Sequence, residues 1–127
     1  MAATRLAGRS VLIVDDDDDV RGSIDLAFRG EGAATRTVAD GTSAVLAVQQ
    51  SRPDLVILDM MLPQRSGFLV LEKLREAESM PAVIMVTANQ GRRHMAYAQG
   101  LGVDAYMVKP VSLHRLVETA VRLLGER

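Results

Sequence analysis

Residues 11–20 read VLIVDDDDDV, in which a purely apolar run at 11–14 is followed directly by consecutive aspartates at 15–19. Three similar apolar runs follow at residues 55–58, 82–86 and 105–108. These four runs lack the in-out alternation of a half-exposed strand, so they predict strands that are covered on both faces. A fifth and less apolar strand is predicted at residues 34–38.

Segments with helical spacing lie between these runs. Residues 20–28 and 113–124 each carry an apolar stripe on one helical face, and residues 44–50, 68–77 and 90–99 also predict helices. Strands that alternate with helices imply parallel pairing and right-handed crossovers, which put helices on both faces of the sheet. We therefore predict an α/β fold with one doubly wound, five-stranded parallel sheet and five helices.

Length and composition indicate one globular domain, residues 1–127. Hydrophobic residues make up 48% of the chain and charged residues 24%, which is enough apolar material for a core. The net charge of -1 argues against direct nucleic-acid binding, and the absence of cysteine excludes disulfides, thiolate zinc sites and iron-sulfur clusters. No apolar run approaches the length of a membrane span or a signal peptide, so we expect a cytoplasmic protein without a membrane partner.

Reactive polar residues close four of the five predicted strands. Asp15 and Asp16 end the first run, Asp59 the third, Thr87 the fourth and Lys109 the fifth. Ligands of open parallel sheets bind outside the carboxyl ends of the strands. These five side chains are therefore expected to converge on one site.

The residue types suggest the chemistry of that site. Three neighbouring carboxylates stay ionised only beside a compensating cation, and hard oxygen ligands on a shallow rim suit Mg²⁺. A carboxylate can attack a phosphoryl donor to give an aspartyl phosphate, while the metal neutralises the charge that builds on the transferring group. Lys109 would pair with the phosphoryl group as a point charge, and Thr87 would donate a hydroxyl hydrogen bond to it.

Four motifs resemble those of response-regulator receiver domains, the phospho-accepting domains of two-component signal transduction that the bacterial chemotaxis regulator typifies. They are VLIVDDD at 11–17, PDLVILDMMLPQRSG at 53–67, AVIMVTA at 82–88 and AYMVKP at 105–110. The resemblance covers residues 9–124. It implies the flavodoxin-like strand order 2-1-3-4-5.

The resemblance also implies roles for individual residues. Asp59 would be the phosphoacceptor, and Asp15, Asp16 and Asp59 would hold Mg²⁺ together with the backbone carbonyl of Met61. The peptide bond Lys109–Pro110 is expected to be cis. A sensor histidine kinase or a histidine phosphotransfer protein would supply the phosphoryl group, and the domain would catalyse its own phosphorylation and dephosphorylation without being a separate enzyme.

A switch is implied in the same way. Phosphorylation would draw Thr87 inward and let Tyr106 turn into the vacated space, which would alter the surface of the fourth helix, fifth strand and fifth helix for an unknown output partner. A phosphorylation-dependent homodimer through the fourth and fifth helices is a further hypothesis. Met61 and Asn89 occupy positions that tune phosphoryl-group lifetime in the family, and Met60, Met61 and Met95 are expected to be exposed near the site.

Other interpretations fit the residues less well. A receiver fold that acts unphosphorylated as a docking or dimerisation module is disfavoured by the intact polar set. A flavodoxin-like carrier needs a glycine-rich phosphate loop where this chain has aspartates. A calcium loop beginning at Asp15 fails because Val20 and Leu26 replace the required glycine and glutamate. Both a single-domain regulator and a receiver from a longer protein remain open.

Overall fold

The computed structural model describes residues 4–64, 66–76, 80–88 and 92–125, in which strands and helices alternate along the chain. The strands are β1 (Ser10–Val14), β2 (Ala34–Val38), β3 (Leu55–Leu58), β4 (Ala82–Thr87) and β5 (Ala105–Val108). The helices are α1 (Asp18–Gly30), α2 (Gly41–Gln50), α3 (Gly67–Glu76), α4 (Arg92–Gly100) and α5 (Leu113–Leu124). All strand pairs are parallel, in the order β2-β1-β3-β4-β5, which confirms the predicted fold.

The sheet separates two apolar layers. Successive side chains of a strand point to opposite faces, so β1, β3 and β4 supply both layers. On one face they pack against α1 and α5, where Phe28 and Leu116 are fully buried. On the other they pack against α2, α3 and α4, where Ala44, Val70 and Ala98 are fully buried. Helices therefore cover both faces, as the apolar runs predicted.

The two outer strands differ from that prediction. β2 and β5 lie at the edges of the sheet, and most of their residues are only partly buried. The prediction of full cover on both faces was therefore wrong for β5. The weak apolar signal of β2 agrees with its partial exposure at the sheet edge. Its polar residue Arg36 donates hydrogen bonds to the carbonyls of Ala47 and Ser51 at the end of α2.

Helices begin close to the carboxyl edge of the sheet. The Asp17 carboxylate caps α1 by accepting the N–H groups of Asp19 and Val20, so most of the acidic run is used at this helix start. Asp40 caps α2 in the same way. The first described residue of α4 is residue 92, so the predicted residues 90–91 and Asn89 lie outside the described residues, as does residue 77 of the third predicted helix. Within the described ranges, no helix is both long and apolar enough to cross a bilayer.

Polar and aromatic contacts join α3 to α4. The rings of Phe68 and Tyr97 meet edge to face with centroids 5.0 Å apart, and the Tyr97 hydroxyl donates to Glu72 Oε1 at 2.7 Å. Further along, Arg75 Nη1 donates to the Gly100 carbonyl at 3.2 Å. These two helices are therefore linked along their length.

The start of α3 lies unusually close to the loop that follows β3. The Gly67 N–H donates to the Met60 carbonyl at 2.8 Å, and a Cβ atom at residue 67 would lie only 2.3 Å from the Asp59 carbonyl oxygen. Such an approach excludes every side chain. Gly67 therefore fixes how tightly α3 closes on this loop.

We expect Gly67→Ala to lower the free energy of unfolding by about 2 kcal/mol or more, because the backbone must move to admit the methyl group. Urea unfolding followed by circular dichroism measures this. Gly22→Ala is the matched control: a Cβ atom added to this exposed glycine of α1 would meet no other atom within 4 Å, so alanine should stabilise the helix slightly. Equal stability of the two variants would contradict the close-contact argument.

Candidate functional site

The carboxyl edge of the sheet brings together acidic and basic side chains from three strand ends. Lys109, which follows β5, places Nζ 2.8 Å from Asp15 Oδ2 and 2.9 Å from Asp59 Oδ2. The side chains of Asp15 and Asp59 are almost completely buried, whereas that of Lys109 is 21% exposed. One ammonium thus bridges the ends of β1 and β3.

Asp16 completes an acidic cluster. Carboxylate oxygens of Asp15, Asp16 and Asp59 lie within 4.8 Å of one another, with Asp16 exposed and the other two buried. Lys109 balances only one of the three negative charges. The set offers hard oxygen ligands with one side open to water, which fits Mg²⁺, a cation that retains several of its waters.

Asp59 is held from both sides. Its N–H donates to the Val14 carbonyl at 2.9 Å, and its Oδ1 accepts the Met61 N–H at 3.0 Å. Burial raises the pKa of the Asp59 carboxyl, and the bonds from Lys109 and Met61 offset this only in part. Burial alone would lower the pKa of Lys109, but its bonds to Asp15 and Asp59 outweigh burial and raise it, so the ammonium stays charged.

The remaining predicted residues surround this centre. Thr87 is fully buried at the end of β4, and its carbonyl accepts the Lys109 N–H at 2.8 Å. Tyr106 is half-buried in β5, on the same face of the sheet as Thr87 by strand alternation. The Met61 side chain is exposed as expected, but Met60 was predicted wrongly, since it is buried in the layer beneath α3. The Lys109–Pro110 peptide is cis, as expected.

Arg21 was not among the predicted site residues. Its Nη1 donates to the Asp15 carbonyl at 2.8 Å, and its Nη2 pairs with the Asp18 carboxylate. The spacing from Asp18 to Arg21, three residues within a helix, favours the ion pair. Nothing in the sequence pattern indicated the bond to a backbone carbonyl outside the helix.

The fold and the acidic edge define a two-component signalling domain, and comparisons with known proteins agree. The family model of the response regulator receiver domain matches residues 11–121. The chain belongs to this family. It is 38% identical over 107 residues to the DNA-binding response regulator MtrA of Mycobacterium leprae, covering 84% of this chain and 47% of that protein. It is 33% identical over 121 residues to the transcriptional regulatory protein AfsQ1 of Streptomyces coelicolor, covering 93% and 53%.

Solved structures give the same result. The CheY-like receiver domain protein of Methanospirillum hungatei superposes with a TM-score of 0.88 at 28% identity, covering 91% of this chain and 93% of that one. The receiver domain of the sensor histidine kinase PA1611 from Pseudomonas aeruginosa superposes with a TM-score of 0.84 at 27% identity, covering 94% and 99%, and has a magnesium ion coordinated in its active site cleft. The chain spans about half the length of the curated relatives it matches.

We expect Asp59→Asn to raise the free energy of unfolding near pH 7 in the absence of divalent cations, by on the order of 1 kcal/mol. A carboxyl whose pKa is raised by folding stabilises the native state below its unfolded pKa and loses that contribution as pH rises through the folded pKa. The advantage of the variant should therefore shrink toward pH 4. Urea unfolding with a chelator at both pH values measures it.

Asp54→Asn is the control for this prediction. Asp54 precedes the same strand, and its Oδ2 accepts the Ser10 N–H at 2.8 Å, so removing its charge should not stabilise the protein. A lower free energy of unfolding for Asp59→Asn than for the wild type at pH 7 would contradict the prediction. It would show that the bond from Lys109 stabilises the protein more than burial of the carboxylate destabilises it.

Proposed function

We propose that this domain is a phospho-accepting switch in which Asp59 takes a phosphoryl group from a sensor histidine kinase or a histidine phosphotransfer protein. The observation that carries the proposal is the Asp59 carboxylate, which is buried, oriented by the Met61 N–H, and bonded to Lys109 inside the acidic cluster. A buried, oriented carboxylate beside a permanent cation is suited to nucleophilic attack on phosphorus.

The transfer needs no general base. A carboxylate oxygen of Asp59 attacks the phosphorus as the phosphorus–nitrogen bond of the donor phosphohistidine breaks. The electron pair of that bond stays on the imidazole, which leaves neutral from its protonated form. Lys109, 2.9 Å from the carboxylate before reaction, would then pair with a phosphoryl oxygen, and the Thr87 hydroxyl would donate a hydrogen bond to another.

The carboxylates of Asp15, Asp16 and Asp59 and the backbone carbonyl of Met61 would hold Mg²⁺. The bound ion would neutralise the charge that builds on the transferring phosphoryl oxygens. Asp16 supports this assignment because its exposed carboxylate leaves one side of the cluster accessible to solvent.

The switch would couple Thr87 to Tyr106. Their shared face of the sheet supports this, since Tyr106 pairs in register with Met85, two residues before Thr87 on the neighbouring strand. A phosphoryl group that draws the Thr87 hydroxyl toward Asp59 would favour an inward position of the half-buried Tyr106 ring. The population would shift toward one form of the surface of α4, β5 and α5, where an output partner would dock.

We expect intact-protein mass spectrometry to find one phosphoryl adduct after incubation with acetyl phosphate and Mg²⁺, and none after chelation of the metal. The adduct should disappear in Asp59→Asn, because the nucleophile is lost. Asp54→Asn should keep the adduct, because Asp54 directly precedes β3 and so lies at the opposite end of this strand from Asp59.

Rapid quenching guards against a short-lived adduct. A folded wild-type protein that stays unmodified under these conditions would contradict phosphoacceptance and favour the docking-module interpretation. An adduct that persists in Asp59→Asn would place the nucleophile elsewhere.

We expect Thr87→Ala to uncouple the switch while Asp59 still accepts the phosphoryl group. With Mg²⁺ and beryllofluoride, a phosphoryl mimic, amide exchange in β5 and α5 should change in the wild type and change at most half as much in Thr87→Ala. Thr37→Ala in the edge strand β2 is the control and should behave as wild type.

Light scattering on the same samples tests the homodimer hypothesis. A molar mass that stays that of the monomer in the presence of beryllofluoride would exclude a phosphorylation-dependent dimer.

A further inference from the structure

Arg21 lies against the loop that carries the acidic pair. It is the fourth residue of α1, and its Nη1 donates to the Asp15 carbonyl at 2.8 Å while its Nη2 pairs with Asp18. The Arg21 side chain is 20% exposed, whereas that of its ion-pair partner is 88% exposed. The guanidinium is therefore packed against the loop and does not extend into solvent.

The bond from Arg21 restrains one particular peptide unit. The Asp15 carbonyl belongs to the planar unit that joins Asp15 to Asp16. The other loop bonds act on neighbouring units: the Asp15 N–H donates to the Val38 carbonyl at 3.2 Å, and the Asp17 N–H donates to Asp15 Oδ1 at 2.9 Å. Arg21 is thus placed to fix the orientation of one of the two peptide units that flank the Cα atom of Asp16, and the Asp17 N–H bond restrains the other.

Asp16 depends on this restraint more than its neighbours do. Lys109 bonds directly to Asp15 and Asp59, so their carboxylates are held by a side chain. In the described ranges of the chain, no hydrogen bond or ion pair reaches the Asp16 carboxylate. The position from which this side chain reaches the other two acids therefore depends on the backbone bonds of the loop.

We infer that Arg21 is a positioning residue for the cation site, acting through the Asp15–Asp16 peptide to aim the Asp16 carboxylate. The inference rests on the proposed function, since it concerns the Mg²⁺ that Asp15, Asp16 and Asp59 would hold. A forked guanidinium suits the role because it bonds the carbonyl and the Asp18 carboxylate at once, which a single ammonium does less well.

Charge and positioning predict opposite effects of removing Arg21. Arg21 is a cation near an acidic cluster, so if charge were its only contribution, removing it would tighten Mg²⁺ binding. If it positions Asp16, removing it weakens binding, as is usual for groups that orient metal ligands. The direction of the change separates the two roles.

Isothermal titration calorimetry with Mg²⁺ alone, well below the unfolding midpoint of each protein, tests this without any activity measurement. We expect Arg21→Gln to bind Mg²⁺ about tenfold more weakly than wild type, and Arg21→Lys, which keeps the charge but not the fork, to bind about threefold more weakly. Arg29→Gln is the matched control. It removes the same charge from the same helix, where Arg29 pairs with Asp25, and should bind like wild type.

Equal or tighter binding by Arg21→Gln would overturn the inference while leaving the proposed function intact. A wild type that binds no Mg²⁺ would overturn both. If Arg21→Gln does not fold, Arg21→Lys decides, because wild-type affinity in that variant would contradict the positioning role. A variant that only lowers the unfolding temperature without weakening binding would assign Arg21 to stability alone, and so would also overturn the inference.

Discussion

The bridge from Lys109 to Asp15 and Asp59 is the interaction on which the rest of the site depends. Like-charged carboxylates at the ends of β1 and β3 would repel each other, and one ammonium placed between them, 2.8 and 2.9 Å from the two oxygens, makes their proximity tolerable. The ammonium arrives from β5, two strands away from β3 in the sheet. The parallel strand order therefore matters for the site, because it places the carboxyl ends of β1, β3 and β5 at one edge of the sheet.

The same bridge leaves a conflict between stability and function. Burial raises the pKa of Asp59, so ionising this carboxyl is less favourable in the native state than in water, yet the proposed phosphoryl transfer requires the ionised form. A second uncompensated charge, on Asp16, lies at the solvent side of the cluster. The site therefore carries excess negative charge, which a bound cation would offset.

Local sequence predicted most of the fold because buried parallel strands are nearly pure apolar runs and their closing residues share one edge. That reasoning located β1, β3 and β4 and the positions of Asp15, Asp59 and Lys109. It was less accurate for the edge strands β2 and β5. A strand with a neighbour on only one side is less buried, and the local sequence does not show which strand lies at the edge. Met60 was misplaced because exposure beside a site depends on how the loop folds under α3, and Arg21 was missed because its partner is a backbone carbonyl.

The close contact at Gly67 also has a mechanical consequence. α3 has ten residues and is about 15 Å long, and its first residue is bonded to the loop immediately after Asp59. A rigid rod pivoting there by about 5° would move its far end by about 1 Å. That end holds Arg75, which contacts Gly100 of α4. A small rotation of α3 about the loop beside Asp59 would therefore produce a larger displacement where Arg75 contacts α4, on the same face of the sheet.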